Sequence, residues 1–394
     1  MLGKRKPADT SSGLAFFVSR VKNMASSQRL AAIDGLKGIA GVLIVAAHYL
    51  YTFAPFGKIG WGTGVTTENA AAVYMKYYPY SALLDFSPLP IFYTVIAFIP
   101  ALKFFQDGDD EFLRKQALLR YFRLAPLTIT CAVFSYALFA LGLSHHIDVY
   151  ELLNNNWIKA SAYTDATSFS GAVWNGLFEV FVDSNKSGYC NVLWCMPFIL
   201  TGSYFTYAVL LIFGRMKHRA LIYAALYGLC FFAPPCTVFL TGVAAADIYA
   251  HQKTHDNPKT AAFCGFMLLL GVFFPTIRYP AGVPEYMVTA FIMLFLLGAC
   301  LQSDAVRRAL SARCLTQAGK RSFCLVLAHF PIMTSFSCWE FAALHNTGVS
   351  YGVNLALTFV CAVPCIWAAT EAFYRLVEIP TAKATAKIYA YFRA

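Results

Sequence analysis

The chain alternates between long apolar runs and short polar interruptions, most of them basic. Ten runs are long enough, or nearly so, to cross a bilayer as a helix, which takes about 20 apolar residues. They lie at approximately 36–53, 84–105, 124–143, 191–213, 220–233, 236–249, 260–275, 286–302, 322–338 and 352–371. The pattern predicts an all-α fold, a polytopic membrane helix bundle of about ten transmembrane helices. The fifth and sixth runs are short and separated by Pro234-Pro235, where a helix breaks. By pattern alone they form either two spans or one span with a re-entrant piece. Gly171 to Val182 is too short, and too interrupted by Glu179, to span; it reads as an interfacial or lumenal helix.

Composition agrees with this pattern. With 58% hydrophobic and only 13% charged residues in 394, and a mean hydropathy of +0.56, the chain is too apolar for a soluble protein of its size. The net charge of +11 does not point to nucleic acid, because the basic residues are scattered among apolar segments rather than gathered on one domain. Topology accounts for them. With a cytosolic N-terminus and ten alternating helices, 26 of the 31 Lys and Arg residues fall on the cytosolic side, as the positive-inside rule expects. Merging the fifth and sixth runs would place Arg307, Arg308, Arg313, Lys320 and Arg321 outside, so ten spans and two cytosolic termini are expected. Residues 1–28 read as a disordered basic tail without a cleavable signal, 29–380 as the transmembrane domain, and 381–394 as a short cytosolic tail. The endoplasmic reticulum or another endomembrane is the expected location. The 12 cysteines sit mostly within apolar runs, with no CxxC pair and no spacing that suits zinc, so no metal site is expected.

Ile33 to His48, IDGLKGIAGVLIVAAH, carries the chemistry. Lys37 and His48 are eleven residues apart, which on a helix puts them on nearly the same face, three turns and roughly 16 Å apart. An ionisable group at membrane depth is costly and points to a function, although a neutral core histidine bonded to a neighbouring helix is the plain alternative. Asp34, one turn before, can cap the helix or pair with Lys37. A second basic feature is Arg120 and Arg123, three apart and so on one face where the chain enters the membrane before Pro126. Two guanidiniums there can grip a phosphorylated ligand, or they snorkel to lipid phosphates as most such arginines do. His145 and His146 are neighbours that point apart and read as a solvated loop.

Five stretches in order, with a closing signature, give the chain a resemblance to the acyltransferase-3 family of integral membrane O-acyltransferases, of fungal type. Ile33 to His48 resembles the opening motif, with its basic residue and histidine at Lys37 and His48. SPLPIFYTVIAFIPALKFF (87–105) resembles the second-helix motif, and RYFRLAP (120–126) the Arg-x-x-Arg that follows it. NVLWCMPFILTGSYF (191–205) resembles the Leu-Trp segment with its later Gly-Ser, here Trp194, Gly202 and Ser203. AGKRSFCLVLAHFPI (318–332) matches Gly319, Ser322 and His329 to the family's Gly, Ser-Phe and His, and FYRLVEIP (373–380) resembles its close. The chain departs from the pattern at Lys37, where Arg is usual, at Ile96-Ala97 in place of Ser-Gly, and at Ile199 in place of Glu.

The resemblance implies transfer of an acyl group, usually acetyl, from acyl-CoA to a hydroxyl of a small-molecule or glycan acceptor, with a fungal secondary metabolite as one candidate. It implies His48 as general base or acyl relay, supported by Lys37 and Asp34, and Arg120 and Arg123 as the donor-binding pair. Trp194, Ser203 and His329 become further pocket candidates. The expected donor is acetyl-CoA; no bound cofactor is expected, and the partners are the donor, the acceptor and the bilayer, not nucleic acid. A non-catalytic carrier or flippase, or an inactive relative, is the other reading, since intramembrane His and Lys also suit a proton relay. The sequence has no inverted repeat of the transporter type.

Overall fold

The computed structural model describes residues 10–54, 88–161, 163, 167–252, 257–273 and 285–393. About 87% of it is helical, and no strand occurs among the described residues. The helices are α1 (Thr10–Phe53), α2 (Leu89–Asp107), α3 (Asp110–Ala140), α4 (His146–Leu153), α5 (Asn156–Ala160) and α6 (Phe169–Val182). After them come α7 (Asn191–Phe213), α8 (Arg219–Phe232), α9 (Pro235–His251), α10 (Pro258–Phe273) and α11 (Glu285–Gln302). Finally α12 (Asp304–Leu310), α13 (Arg313–Lys320), α14 (Ser322–Asn346) and α15 (Tyr351–Tyr391) complete the bundle.

Among the described residues, six helices are long and apolar enough to cross a membrane: Ala31–Phe53 of α1, together with α2, α3, α7, α14 and α15. A seventh results if α11 and α12, bent by 96° at Ser303, are taken as one span. Two of the remaining runs expected from the sequence fold as shorter helices, α8 and α9, and the run at 260–275 is helical as far as the described residues go, in α10. α8 stops at Phe232 and α9 starts at Pro235, so the Pro-Pro pair does lie at a break between helices. The backbone of residues 10–30 continues α1 ahead of Ala31, through most of the stretch read as a disordered tail.

α1 is central, and two glycines let it be. A Cβ on Gly38 would collide with the Leu315 carbonyl, and one on Gly319 would collide with the Asp34 carbonyl. Only hydrogen fits there, so α13 rests directly on the backbone of α1 beside Lys37. At the other end of α1 the unpaired carbonyls of the last turn are taken up by side chains. Asn155 donates through Nδ2 to Tyr51 and Thr52, at 2.6 and 3.0 Å, and the Tyr351 hydroxyl donates to Phe53 at 2.6 Å.

α6, read above as an interfacial or lumenal helix, packs on α3. It runs antiparallel along α3, with Phe169 against Tyr136, the Gly176 carbonyl accepting from Thr128 at 2.6 Å, and the Leu177 carbonyl accepting from Tyr121 at 2.6 Å. Phe181, near its end, rings against Tyr121. The chain then turns back, and Cys190 reaches Cys131 at 3.4 Å between sulfurs. This helix with its return forms a hairpin beside α3, where Thr128 and Gly176 allow close approach.

Candidate functional site

His48 sits on α1 between Lys37 and the Asn155-bound end, and it meets a second histidine. Its Nδ1 lies 2.8 Å from His329 Nε2 on α14, with the two rings 7° from parallel and 5.0 Å apart. His329 is fully buried, and its Nδ1 lies 3.3 Å from the Leu325 carbonyl. A carbonyl only accepts, so the network assigns the His329 proton to Nδ1. His329 Nε2 is then an acceptor, His48 donates to it from Nδ1, and the basic nitrogen of His48 is Nε2. A buried imidazole orients an imidazole that lines a cavity. Trp157 on α5 stacks on His48 at 5.7 Å and 21°, and Phe330 meets both histidines edge-on. Asn155 holds that stack in place, because its Oδ1 accepts from the Trp157 amide at 3.1 Å while its Nδ2 caps α1.

Two cavities adjoin the pair. The smaller, of about 80 Å³, is walled by His48, Tyr51 and Trp194 among apolar side chains. The larger, of about 480 Å³, lies toward the Lys37 end and carries Lys37, Arg120, Arg123, Lys320, Gln116 and Glu378. Ile44, Leu89, Cys195 and Val326 belong to both walls and form a collar between them. Cations thus collect in one chamber and an imidazole faces the next.

Within the larger chamber Lys37 Nζ pairs with Asp34 at 2.7 Å, so Asp34 steers Lys37 without lining the cavity itself. Arg120 Nε is buried and has no hydrogen-bond partner among the described residues. A desolvated guanidinium nitrogen without an acceptor is a costly arrangement that an anion would relieve. Glu378 accepts from the Cys324 thiol at 2.9 Å and lies in the field of Lys37, Arg123 and Arg321.

Of the residues singled out in the sequence, the structure brings together His48 and Trp194 on the small cavity, with His329 buried behind His48, and Lys37, Arg120 and Arg123 on the large one. Ser203 stands apart. Its hydroxyl is fully buried and donates to the Ile199 carbonyl of its own helix at 2.6 Å, so it lines neither cavity. Ile199 lines the cation-rich cavity, as does Ile96, whereas Ala97 is buried against α9 at Gly242. Sequence reasoning missed Glu378, Trp157 and Asn155. Glu378 had a signal, a carboxylate inside FYRLVEIP, but the last span was closed at 371. Trp157 and Asn155 had none. Nor do His145 and His146 join the site: His145 pairs with Asp148 at 2.9 Å, and His146 is buried and bonded to Ser144 at 2.8 Å. Burial lowers the His146 pKa to about 4. No group of three metal-ligating side chains occurs among the described residues.

No family model matches this chain, and neither a curated protein nor a solved structure does.

Proposed function

We propose that the protein is an integral-membrane O-acyltransferase that moves an acetyl group from acetyl-CoA to the hydroxyl of a small acceptor. The observation that carries this reading is His48 on the wall of one cavity, bonded behind it to the buried His329, beside a second cavity that holds Lys37, Arg120 and Arg123. The chemistry needs both chambers. Phosphates of the donor require cations with bidentate reach, which Arg120, with its buried Nε, and the exposed Arg123 offer on one cavity wall. A hydroxyl requires a base near neutrality, and imidazole is the side chain whose ordinary pKa lies there.

In the reaction, His48 Nε2 takes the proton of the acceptor hydroxyl as its oxygen bonds to the thioester carbonyl carbon. The carbon–sulfur bond then breaks, and the departing thiolate takes the proton back, so ester and free CoA leave with no net change in the protein. His329 keeps Nδ1 of His48 engaged while Nε2 works, the role of an orienting second residue. Trp157 stacks against the imidazole and favours the transient cation. Glu378 brings a carboxylate to the cavity wall where Ile199 brings none.

The finer topology belongs to the same reading: ten spans, both termini in the cytosol, and the cation-rich cavity opening to the cytosol in the endoplasmic reticulum or another endomembrane. The distribution of 26 of 31 basic residues supports it. The test is consumption of acetyl-CoA by purified protein against His48→Ala. Equal, acceptor-independent rates in both would remove the reading.

A further inference from the structure

We infer that the acceptor is an apolar alcohol that reaches His48 from within the bilayer, and not a sugar. This rests on the acyl-transfer reading above and narrows its acceptor. The chamber that His48 faces is small, about 80 Å³, where a single water needs roughly 10–15 Å³. It takes the hydroxyl-bearing end of a molecule and an acetyl group, not a whole metabolite. Among the described residues its wall carries no carboxylate, no cation and no carboxamide. Its polar side chains are His48, Tyr51, Trp194 and Cys195, and the Cys195 thiol already donates to the Val192 carbonyl at 3.2 Å. A sugar presents several hydroxyls, each of which loses water on entering and must find a partner. One base with two aromatic donors satisfies a single reacting hydroxyl and leaves the others bare.

The direction of approach follows from the walls. The donor occupies the cation-rich chamber, and the collar of Ile44, Leu89, Cys195 and Val326 stands between the two. An acceptor therefore enters on the other side of His48. Trp194, at the start of α7, lines the chamber, rings against Phe198 and is 38% exposed. In a membrane-embedded helix an exposed surface meets lipid, and an indole with one apolar face and one donor suits the passage of an alcohol. Burial of the acceptor's hydrocarbon supplies the binding, and the hydroxyl alone is read by polarity.

The test uses the full chain in nanodiscs with acetyl-CoA and three probes, geraniol, benzyl alcohol and methyl glucoside, with products followed by mass spectrometry. Geraniol and benzyl alcohol are expected to be acetylated at least about tenfold faster than methyl glucoside. Trp194→Ala is expected to raise KM for geraniol about tenfold without a matching rise for acetyl-CoA. A benzophenone-bearing alkyl alcohol supplies a readout that needs no turnover: it should cross-link to the peptides of Tyr51 and Trp194, with geraniol competing and methyl glucoside not. Acetylation of methyl glucoside at the rate of geraniol, or equal competition by the two, overturns the inference. If no probe consumes acetyl-CoA, the acyl-transfer reading fails, and the cross-linking competition still decides whether this chamber accepts apolar alcohols.

Discussion

His48 Nδ1 lies 2.8 Å from His329 Nε2, a contact between residues 281 positions apart in the chain. If the pair performs proton transfer, His48→Ala should lower turnover by about two to four powers of ten while acetyl-CoA affinity stays near normal. His329→Ala should lower it less and should destabilise the fold more, because His329 is the fully buried partner. Single-turnover acyl transfer and thermal unfolding on the same preparations separate these outcomes. A His48→Ala protein that unfolds earlier yet turns over normally per folded molecule would make His48 a core residue.

Arg120 should matter more than Arg123 for the donor. Both line the large cavity, but Arg120 alone carries a buried nitrogen without a partner among the described residues. Arg120→Ala is expected to weaken CoA binding by about 1.5–3 kcal/mol, the worth of a hydrogen bond to a charged group. Calorimetric titration of CoA checks it. Unchanged affinity would return the residue to the lipid phosphates.

If the large cavity holds a phosphorylated donor, Glu378 should oppose it. Its carboxylate shares the chamber with Lys37 and Arg123 and competes with phosphate for them. Glu378→Gln should tighten binding of adenosine 3′,5′-bisphosphate by about five- to tenfold, or roughly 1 kcal/mol. Weaker binding would show instead that Glu378 positions the cations.

Two glycine replacements should act in opposite directions. Gly319→Ala forces a methyl against the Asp34 carbonyl and should cost about 1–3 kcal/mol of stability. Gly228→Ala, inside α8 with open space around its Cβ position, should gain about 0.5–1 kcal/mol. Thermal unfolding monitored by size-exclusion profile reads both.

His146 makes the fold sensitive to acid. Burial holds its pKa near 4 in the folded chain, against about 6.5 in an unfolded one. Between these values the unfolded chain binds the extra proton, so stability falls as pH drops from about 6.5 toward 4. The loss approaches about 3 kcal/mol at the acid end. His146→Gln should flatten the melting temperature across that window, while an unchanged slope would assign the acid sensitivity elsewhere.

Much of this architecture was legible because helices carry local signals. Apolar runs, the Pro234-Pro235 break and the shared face of Lys37 and His48 all lie within short windows of sequence. What was not legible depends on pairing between distant segments. Nothing near His48 announces His329 as its partner, and nothing in NNNWIK says that Asn155 will close the end of α1 and lay Trp157 on the imidazole. The direction of α6 was hidden too, since nothing in its run announces that its Gly176 and Leu177 carbonyls meet Thr128 and Tyr121 of α3. Ser203 misled for the opposite reason: a hydroxyl in an apolar helix looks available, yet it bonds the carbonyl four residues back.

The clamping of α1 at both ends has a mechanical consequence. Backbone contact with α13 at Gly38 and Gly319 locks one end, and Asn155 with Tyr351 ties the other. A helix held in this way cannot slide along its axis or roll without breaking a cap or driving two backbones into each other. A transport cycle that rocks one half of a bundle against the other would have to leave α1 in the stationary half. α1 is thus a fixed post, and the imidazole it bears keeps its place against His329 while the rest of the bundle moves.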